Sequence, residues 1–338
     1  MSAADSLSAT SDAWNPLYFL INRAYWYLMT SPNHVVGIIL NWNNYDDTKR
    51  CIDNLQGLYY QNFDLILVDN GSTDGSYEKL VVEYDELIGI KNSHNLGFGG
   101  GINAGIERAR SMNPDYIWVL NNDIIIDNEY LLDKMVGFMD SNRECGIMSP
   151  TVMKYPEKSE YWFENGVFDR RAVMAFHGRM AKRILTFRNY NVRQDDSKLY
   201  NDYIPFCSAL IRNSIFADVG LYPEKYFLYY GDVEYCFRVR EKGFKIYTDK
   251  TTQVYHRVSA GMESRRSPLH LYYLARNRQI LNREINVSST SIFYAYFLWW
   301  LVLNIMDQLM KNELEGLKSL VLGTFDGVRG KTGKGRYP

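Results

Sequence analysis

Short apolar runs alternate with amphipathic segments over the first 150 residues. The apolar runs VVGIIL, FDLILVDN, Leu87–Ile90 and YIWVLNND predict β-strands, and a further short strand is expected within ECGIMSP. The segments between them have the apolar spacing of helices. Strands and helices in this order predict an α/β fold, with a mostly parallel, Rossmann-like central sheet covered by helices on both faces.

Polar residues stand where three predicted strands end. They are Asn41-Trp42-Asn43, Asp69-Asn70 and Asn121-Asn122-Asp123. In open parallel sheets, ligands bind beyond the carboxyl ends of the strands, so these residues are expected at one edge. An unpaired buried carboxylate is costly. Either the strand ends in a turn at Asp123, or this residue faces a positive charge that the sequence does not supply.

The segment Asn95–Gly105 (NLGFGGGINAG) is rich in glycine and precedes a predicted helix. Backbone amides at such a helix start can bind phosphate. Gly99, Gly101 and Ala104 fit the spacing of a dinucleotide site, but the segment follows the third predicted strand instead of the first. The alternative is that the glycines let the helix pack closely on the sheet.

The second half of the chain is less regular. Residues 151–200 are aromatic and basic without periodicity, and order returns after Tyr203. Asp232 and Glu234 lie at a predicted helix start within YYGDVEYCFR, where a carboxylate can act as a general base. His256 closes a short strand, and is either a metal ligand or a structural residue.

Composition narrows the function classes. The 338-residue chain has a net charge of −1, which gives no overall positive field for nucleic acid. Four scattered cysteines form no disulfide framework, and a reducing cytosol is the simpler interpretation. The N-terminus has no Lys or Arg before Arg23, so a signal peptide is not predicted.

The C-terminal region contains one long apolar run, Ile292–Met306. It is shorter than the roughly 20 residues that a spanning helix needs. Trp299 and Trp300, followed by Lys and Arg, favour a helix that lies on a membrane surface. A core helix or a homodimer interface is the alternative. The end, GVRGKTGKGRYP, has the composition of a disordered tail.

Seven motifs in order resemble the family 2 glycosyltransferases of the GT-A fold, and are most similar to the rhamnosyltransferase-like members. They span residues 35–280, about three quarters of the chain. The matching pieces are NWNNYDDTKRCIDNL, VDNGSTDGS, NLGFGGGINAGI, VLNNDIII, YFLYYGDVEYCFRVREKGF, VYH and LYYLARN.

The resemblance implies an inverting transfer from a dTDP- or UDP-linked sugar, with dTDP-rhamnose as the best candidate, to a glycan or polyprenyl-linked acceptor. Asp69 would bind the nucleobase, with Asn41 and Asn43 nearby. The remaining donor contacts implied are Asn70, Asn95, Gly99, Gly100, Asn103, Asn121 and Asn122.

The resemblance also implies a cofactor and a base. Asp123 would hold Mg²⁺ or Mn²⁺ on the diphosphate, and His256 would be a further metal contact. Asp232 would deprotonate the acceptor hydroxyl. Glu234, Arg276 and Asn277 would lie near acceptor or phosphate groups.

The sequence departs from the family pattern at two functional motifs. Asn121 replaces the first Asp of the metal motif, so the metal has one fewer carboxylate. Gly231 replaces the usual Glu before Asp232, and Glu234 stands where Asp is common, which leaves open which acid is the base.

The resemblance divides the chain into three regions. They are an N-terminal extension with a short aromatic helix (1–33), a catalytic domain (34–285, with a nucleotide-binding half at 34–150 and an acceptor-binding half at 151–285), and an amphipathic helical region with a basic tail (286–338). Peripheral contact with the cytoplasmic face of a membrane is expected.

Two other functions remain open from the sequence. An NAD-dependent oxidoreductase would use the glycine-rich segment, and a non-catalytic scaffold would keep the fold without the chemistry. Asn121 and Gly231 are the residues that favour the scaffold.

Overall fold

The computed structural model describes residues 32–178, 197–257, 267–285 and 289–336. The aromatic helix predicted within 15–30 lies outside these residues, and the three-region division of the chain stays a prediction. The described strands are β1 (Val35–Asn41), β2 (Phe63–Asp69), β3 (Ile88–Lys91), β4 (Tyr116–Asn121), β5 (Ile124–Ile125), β6 (Cys145–Lys154), β7 (Tyr161–Phe163), β8 (Gly166–Asp169), β9 (Met174–His177), β10 (Lys198–Tyr200), β11 (Ser208–Arg212) and β12 (Lys245–His256).

Helices follow most of these strands. They are α1 (Tyr45–Gln56), α2 (Ser76–Glu83), α3 (Gly97–Ser111), α4 (Leu131–Ser141), α5 (Ile215–Val219), α6 (Gly231–Glu241), α7 (Pro268–Ile285), α8 (Thr290–Met310) and α9 (Leu314–Val328), with a 3₁₀ turn at Glu224–Tyr226.

One large sheet organises the molecule, in the order β10-β12-β6-β11-β4-β1-β2-β3. The run β4-β1-β2-β3 is parallel, and so is the long β6–β12 ladder. Strand β11 is antiparallel to β4 and β6 and joins the two parallel parts. The predicted α/β fold with a mostly parallel sheet is therefore confirmed.

Helices cover both faces of β1. Side chains alternate between the two faces along a strand, so different residues of β1 contact different helices. Asn41 is bonded to Thr48 of α1 on one face. On the other face, Ile38 contacts α3 so closely that a Cβ added at Gly105 would lie 2.6 Å from its Cγ2 atom. The glycines of α3 thus permit the close helix–sheet packing that the sequence left as an alternative.

Two elements differ from their prediction. The apolar pattern of the sequence predicts two separate short strands, Phe244–Tyr247 and QVYH, but the structure has the single strand β12, with an irregularity between Asp249 and Gln253. The glycine-rich segment, expected as a loop, forms the first turns of α3 from Gly97 onward. Tertiary packing overrides the weak helix propensity of glycine here.

The disordered tail predicted at the C-terminus is wrong for its described part. The backbone N–H of Gly335 donates to the Tyr273 hydroxyl (2.9 Å), and the carbonyl of Gly333 accepts from Arg276 (2.8 Å). Lys331 and Arg336 pair with the carboxylate of Asp326, which is 1% exposed. Ion pairs and backbone hydrogen bonds with residues elsewhere in the chain hold this segment in place. The composition of the segment itself does not reveal these partners.

Helix α8 is longer than its apolar core suggested, with 21 residues. Among the described helices it is the one whose length and apolar composition would allow it to cross a membrane. Phe293, Phe297 and Trp300 bury one side of it, and the guanidinium of Arg278 from α7 lies over the last two rings.

Candidate active site

A hydrogen-bond network joins the predicted strand ends. The sheet register places Asn41 opposite Asp69, and Leu40 opposite Asn121. The Asn41 amide donates to Asp69 Oδ1 (2.9 Å), and the Thr48 hydroxyl donates to Asn41 Oδ1 (2.9 Å). The Asn122 amide in turn donates to the Thr48 oxygen (2.9 Å). The structure therefore brings the three polar strand ends to one edge of the sheet.

Asp69 is fully buried within this network, and its second oxygen accepts from the backbone N–H of Ser72 (2.9 Å). Asn43 is exposed beside it, with a left-handed backbone (φ 49°), and its side chain accepts from the N–H of Thr73 (2.8 Å). Asp69 and Asn43 thus hold neighbouring backbone groups of the same turn. Direct contact of Asp69 with a nucleobase stays a prediction.

Asn70 and Asn95 build the turn that precedes α3. Asn70 donates to Asn95 Oδ1 (3.1 Å) and to the carbonyl of Gly97 (3.0 Å), and accepts from the N–H of Leu96 (3.1 Å). Asn95 Oδ1 also accepts from the N–H of Gly97 (2.8 Å). Both amides therefore hold backbone in place at the predicted nucleotide edge.

The start of α3 is covered by the segment before α6. The Asn103 amide donates to the Tyr222 carbonyl (2.9 Å) and to Glu224 Oε1 (2.7 Å). A Cβ at Gly99 would lie 2.8 Å from the Pro223 carbonyl oxygen, and one at Gly100 would lie 2.8 Å from the Leu96 Cβ atom. Gly99, Gly100 and Asn103 thus serve packing in this structure, and their contact with a nucleotide stays a prediction.

Asp123 and His256 lie side by side. Strand β12 pairs with β5 so that His256 is opposite Ile124, the residue after Asp123. Asp123 Oδ1 and His256 Nε2 are 3.0 Å apart, with side-chain exposures of 13% and 6%. Neither atom has an aligned hydrogen-bond partner within the described residues. The edge of the Trp162 ring lies against the imidazole, at 4.5 Å between centroids.

These two side chains fit part of a divalent-cation site. Mg²⁺ keeps several waters and is often held by one or two carboxylates together with substrate phosphates. Two adjacent, unsatisfied ligand atoms supply such a partial set. In the described part of the chain, no group of three or more His, Cys, Asp or Glu side chains could hold a metal. Substrate oxygens would have to complete the coordination.

Asp232 occupies the first turn of α6, and its Oδ1 accepts from the backbone N–H of Val233 (2.9 Å). The surrounding protein desolvates the carboxyl and raises its pKa to about 6. A carboxylate in this range is deprotonated near neutral pH, yet basic enough to accept a proton from a substrate hydroxyl.

Cys207 is buried just before β11. Burial raises the pKa of its thiol strongly, and the negative charges of Asp123 and Asp232 raise it further. The buried thiol itself is not a nucleophile, because its reactive thiolate is disfavoured.

Glu234 is engaged elsewhere. It is 5% exposed, and its carboxylate binds Arg238 Nε (3.0 Å) and Lys225 Nζ (3.8 Å). Asp232 has no such ion pair among those of the described chain, which favours it over Glu234 as the base.

Arg276 and Asn277 lie on α7 with 0% exposure. Their side chains donate to backbone carbonyls of Tyr226, Leu228 and Tyr229, in the segment that leads to α6. A phosphate contact for either residue would require these bonds to break. The sequence motif thus identified two important positions, while the structure gives them different partners.

Sequence reasoning missed three groups at this edge. Thr48 and Ser72 complete the polar network. Both lie within motifs quoted above, so their hydroxyl groups could have been recognised from the sequence. Trp162 comes from a region without periodicity and gave none. Trp42, which is 49% exposed next to Asn43, offers an aromatic surface at the end of β1.

The sheet has polar strand ends, a carboxylate–histidine pair and a basic carboxylate, an arrangement typical of α/β enzymes, whose ligands bind at the carboxyl edge of the sheet. The family model described as Glycosyl transferase family 2 matches residues 38–220, more than half of the chain. The chain belongs to this family and is a glycosyltransferase. The glycine-rich segment follows β3 and packs α3 on the sheet, so the oxidoreductase alternative has no support.

Two relatives and one solved structure illustrate the similarity. The low-salt glycan biosynthesis hexosyltransferase Agl10 of Haloferax volcanii is 22% identical over 88% of this chain and 92% of its own length. The dTDP-rhamnosyl transferase RfbF of Shigella flexneri is 23% identical over 90% of this chain and 99% of its own. The fold resembles the mannosyltransferase PcManGT of Pyrobaculum calidifontis, solved with GDP-Man and Mn²⁺ (TM-score 0.53, 13% identity, 93% and 82% coverage).

Proposed function

We propose that this enzyme transfers a sugar with inversion from a nucleotide diphosphate donor, and that Asp232 is the general base. The observation that carries the proposal is the Asp123–His256 pair, whose facing oxygen and nitrogen lie 3.0 Å apart without an aligned partner in the described chain, together with the separate, desolvated carboxylate of Asp232. One carboxylate is basic, and the pair has unsatisfied ligand atoms. A donor diphosphate and an acceptor hydroxyl require these two different environments.

The reaction is a single displacement. The acceptor oxygen forms a bond to the anomeric carbon while the bond to the diphosphate oxygen breaks, and the diphosphate leaves with the electron pair. Asp232 receives the hydroxyl proton. Asp123 and His256 would hold Mg²⁺ or Mn²⁺, which would neutralise charge that develops on the leaving diphosphate. Attack opposite the leaving group inverts the anomeric carbon.

The donor we propose is dTDP-rhamnose, with other dTDP- and UDP-linked sugars as alternatives. Similarity to RfbF over nearly all of both chains supports this choice. Asn43 and Trp42 offer a polar group and an exposed ring for the nucleotide at the end of β1. The Mn²⁺ in the PcManGT structure supports a divalent metal.

Thermal unfolding with dTDP, UDP, GDP and NAD, each with and without Mn²⁺, tests this proposal. A ligand at about 100 times its Kd adds roughly 2.7 kcal/mol of stability. We expect dTDP or UDP to stabilise the protein only with Mn²⁺. Asp123→Ala should abolish the effect, and Asp127→Ala, a partly exposed carboxylate four residues away that pairs with Lys158, should retain it. Stabilisation by NAD alone, or by no nucleotide, contradicts the proposal.

The acceptor we propose is lipid-linked, because α8 and α9 present an apolar docking face (residues 292–328). The exposed apolar side chains of this face are Ile292, Tyr296, Leu298, Trp299, Val302, Leu303, Met306, Leu309, Met310, Leu314, Val321, Phe325 and Val328. Contiguous exposed apolar surface of this kind marks an interaction site.

Charge favours an anionic bilayer as the occupant of the docking face. Residues 329–336 carry four basic side chains and no acidic one. A basic segment next to an apolar, aromatic helix face is typical of peripheral binding to anionic lipid. Four free, buried cysteines support a reducing compartment, so we propose the cytoplasmic face of the membrane.

Co-sedimentation with vesicles tests the docking face. We expect binding to vesicles that contain phosphatidylglycerol, weaker binding to phosphatidylcholine alone, and loss with added salt because the attraction is screened. The double variant Trp299→Glu/Met306→Glu should lose binding, whereas Val82→Glu, an 83% exposed position on α2, should not. Equal binding by both variants, or a stable dimer that hides the face in solution, contradicts a lipid occupant.

A further inference from the structure

The segment Tyr226–Tyr230, which leads directly into α6 and Asp232, has an unusual backbone. Three of its residues have left-handed conformations without being glycine: Phe227 (φ 61°), Tyr229 (φ 59°) and Tyr230 (φ 68°). Aromatic residues rarely adopt this conformation. Such a segment keeps its shape only when the surrounding structure holds it there.

Asn277 supplies most of that hold. Its side-chain amide donates to the carbonyls of Tyr226 (3.3 Å), Leu228 (2.7 Å) and Tyr229 (3.1 Å). Arg276 donates to the Tyr226 carbonyl as well (2.9 Å) and fixes the Asn277 amide through its Oδ1 atom (2.9 Å). Two neighbouring side chains therefore satisfy three carbonyl groups of an otherwise strained backbone segment.

Arg276 is itself fixed from two sides. Its second terminal nitrogen donates to the Gly333 carbonyl of the C-terminal segment (2.8 Å), and its guanidinium lies over the Tyr273 ring (4.7 Å to the centroid). Phe227 stacks on the same ring, with 5.7 Å between centroids. The guanidinium is buried without a carboxylate bonded to it in the described chain, so its charge is compensated by carbonyl dipoles and aromatic faces.

We infer that Arg276 and Asn277 are positioning residues, which hold Tyr226–Tyr230 so that α6 presents the carboxylate of Asp232 to the acceptor hydroxyl. The inference rests on the proposed role of Asp232 as the base. It assigns the pair to the base instead of the donor phosphates, because Arg276 and Asn277 bond to each other and donate to backbone carbonyls within Tyr226–Tyr230 and to that of Gly333.

Asn277→Asp is the sharpest variant, because it keeps the shape and replaces the donor amide by an oxygen that faces three carbonyls. Arg276→Lys is the second variant, in case the first does not fold; it keeps the charge and loses the forked contact. Asn282→Ala is the matched control. It lies on the same helix at 8% exposure, and its Oδ1 has no partner in the described chain.

Three measurements are made on the full-length chain: hydrogen exchange of peptides by mass spectrometry, the thermal shift with dTDP or UDP and Mn²⁺, and turnover with dTDP-rhamnose. We expect at least tenfold faster exchange over 226–234 in both variants, with exchange in β1 and β2 unchanged. The nucleotide shift should persist. The kcat should fall at least tenfold while KM for the donor stays within threefold, and Asn282→Ala should behave as wild type.

Wild-type exchange over 226–234 in both variants would overturn the inference. A tenfold loss of nucleotide affinity would also overturn it, since it would place the pair at the donor. If wild-type protein neither binds nucleotide nor transfers sugar, the proposed function fails. The exchange data still decide whether the pair holds the segment, so the two failures are distinguishable.

Discussion

In its proposed role as the base, Asp232 combines two requirements that are normally opposed, because it would have to be close to substrate and yet poorly hydrated. Its environment favours the neutral carboxyl and raises the pKa to about 6. Backbone hydrogen bonds from Val233 and from Asp232 itself offset this rise in pKa only in part. The balance leaves a base that is ionised at neutral pH.

The pH profile of transfer should show this group. We expect kcat/KM to rise with pH through about 6, because only the ionised form of Asp232 can accept the acceptor proton. Asp232→Asn should reduce kcat by 10²- to 10⁴-fold, in line with the usual contribution of a general base. Initial rates between pH 5 and 8 test this, and an Asp232→Asn enzyme with near-normal kcat would exclude the role.

The same group should destabilise the native fold above pH 6. The folded pKa is about 6 and the unfolded value is 3.8, so the native state holds a proton that the unfolded state releases between these values. Wild-type stability therefore falls as pH rises through this range, by at most about 3 kcal/mol.

Asp232→Asn removes this titration. The variant should be more stable than wild type at pH 7 to 8, and the difference should vanish below pH 4. Denaturant unfolding of both proteins at each pH measures it. A difference that does not change with pH would contradict the assigned pKa.

At the residue scale, the sequence predicted several candidate site residues but fewer of the contacts that these residues make. Motif order alone singled out Asp123 and His256, which lie 3.0 Å apart, and their role as metal ligands stays a prediction. The partners of Arg276 and Asn277 could not be predicted, because they are backbone carbonyls about 50 positions earlier in the chain. A motif marks a residue, whereas a tertiary contact depends on a loop shape that no local pattern contains.

At the element scale, helix α3 packs closely on the sheet because its glycines have no side chains. A Cβ at Gly105 would lie 2.6 Å from Ile38 Cγ2 and 2.9 Å from Val68 Cγ2, which belong to β1 and β2. Gly137 is also within a helix, but a Cβ there has nothing within 4 Å. Substitutions at these two glycines therefore distinguish the effect of close packing on stability from the effect of helix propensity.

Gly105→Ala and Gly137→Ala should have opposite effects on stability. We expect Gly105→Ala to destabilise the fold by about 1–3 kcal/mol through overpacking. Gly137→Ala should stabilise it by about 0.5–1 kcal/mol, because alanine loses less backbone entropy in a helix. Denaturant midpoints with unchanged m-values test both, and destabilisation of equal size would show that the close contact does not matter.

The predictability of elements follows their periodicity. Strands β1, β2 and β4 are continuous apolar runs, and their positions were predicted to within one or two residues. Strand β12 was divided into two because polar residues near its irregularity resemble a turn. The C-terminal segment was expected to be disordered because its order depends on Asp326 and Tyr273, not on its own composition.

At the scale of the whole molecule, Asp326 fastens the C-terminus to the rest of the protein. It accepts a hydrogen bond from Tyr272 (2.7 Å) and pairs with Lys331 (2.9 Å). Burial alone raises the pKa of this carboxyl, but Lys331 and Tyr272 outweigh that effect and hold the pKa below its usual value. The stabilisation is therefore lost when the pH falls through the folded pKa.

Asp326→Asn should release the C-terminal segment. The variant loses the ion pairs of the buried Asp326 with Lys331 and Arg336, so local opening of the segment should be easier and trypsin should cut at Lys331 and Lys334 about tenfold faster. Glu315→Gln breaks the exposed pair with Lys318 and should leave the cleavage rate unchanged. Timed digestion followed by intact mass measures both, and equal rates would argue against the fastening.

The overall architecture was predictable because strand and helix periods repeat, and because order along the chain dictates a parallel sheet. The antiparallel insertion of β11 between β4 and β6 was not, since it depends on non-local pairing of short strands. The α8 part of the proposed docking face was visible in the sequence as the apolar run Ile292–Met306, whereas the contribution of α9 and the exposure of both helices were not.

The pairing of His256 with Ile124 has a consequence for the order in which parts of the protein fold during synthesis. The two metal-ligand candidates are supplied by the fourth and the last strand segments of the sheet, and they meet only when β12 has joined β5 and β6. A chain emerging from the ribosome can form β1 to β4 and still lack half of this pair. Contacts between distant parts of a chain form late and slowly. The pair that we propose to hold the metal can therefore form only after β12 has been synthesised.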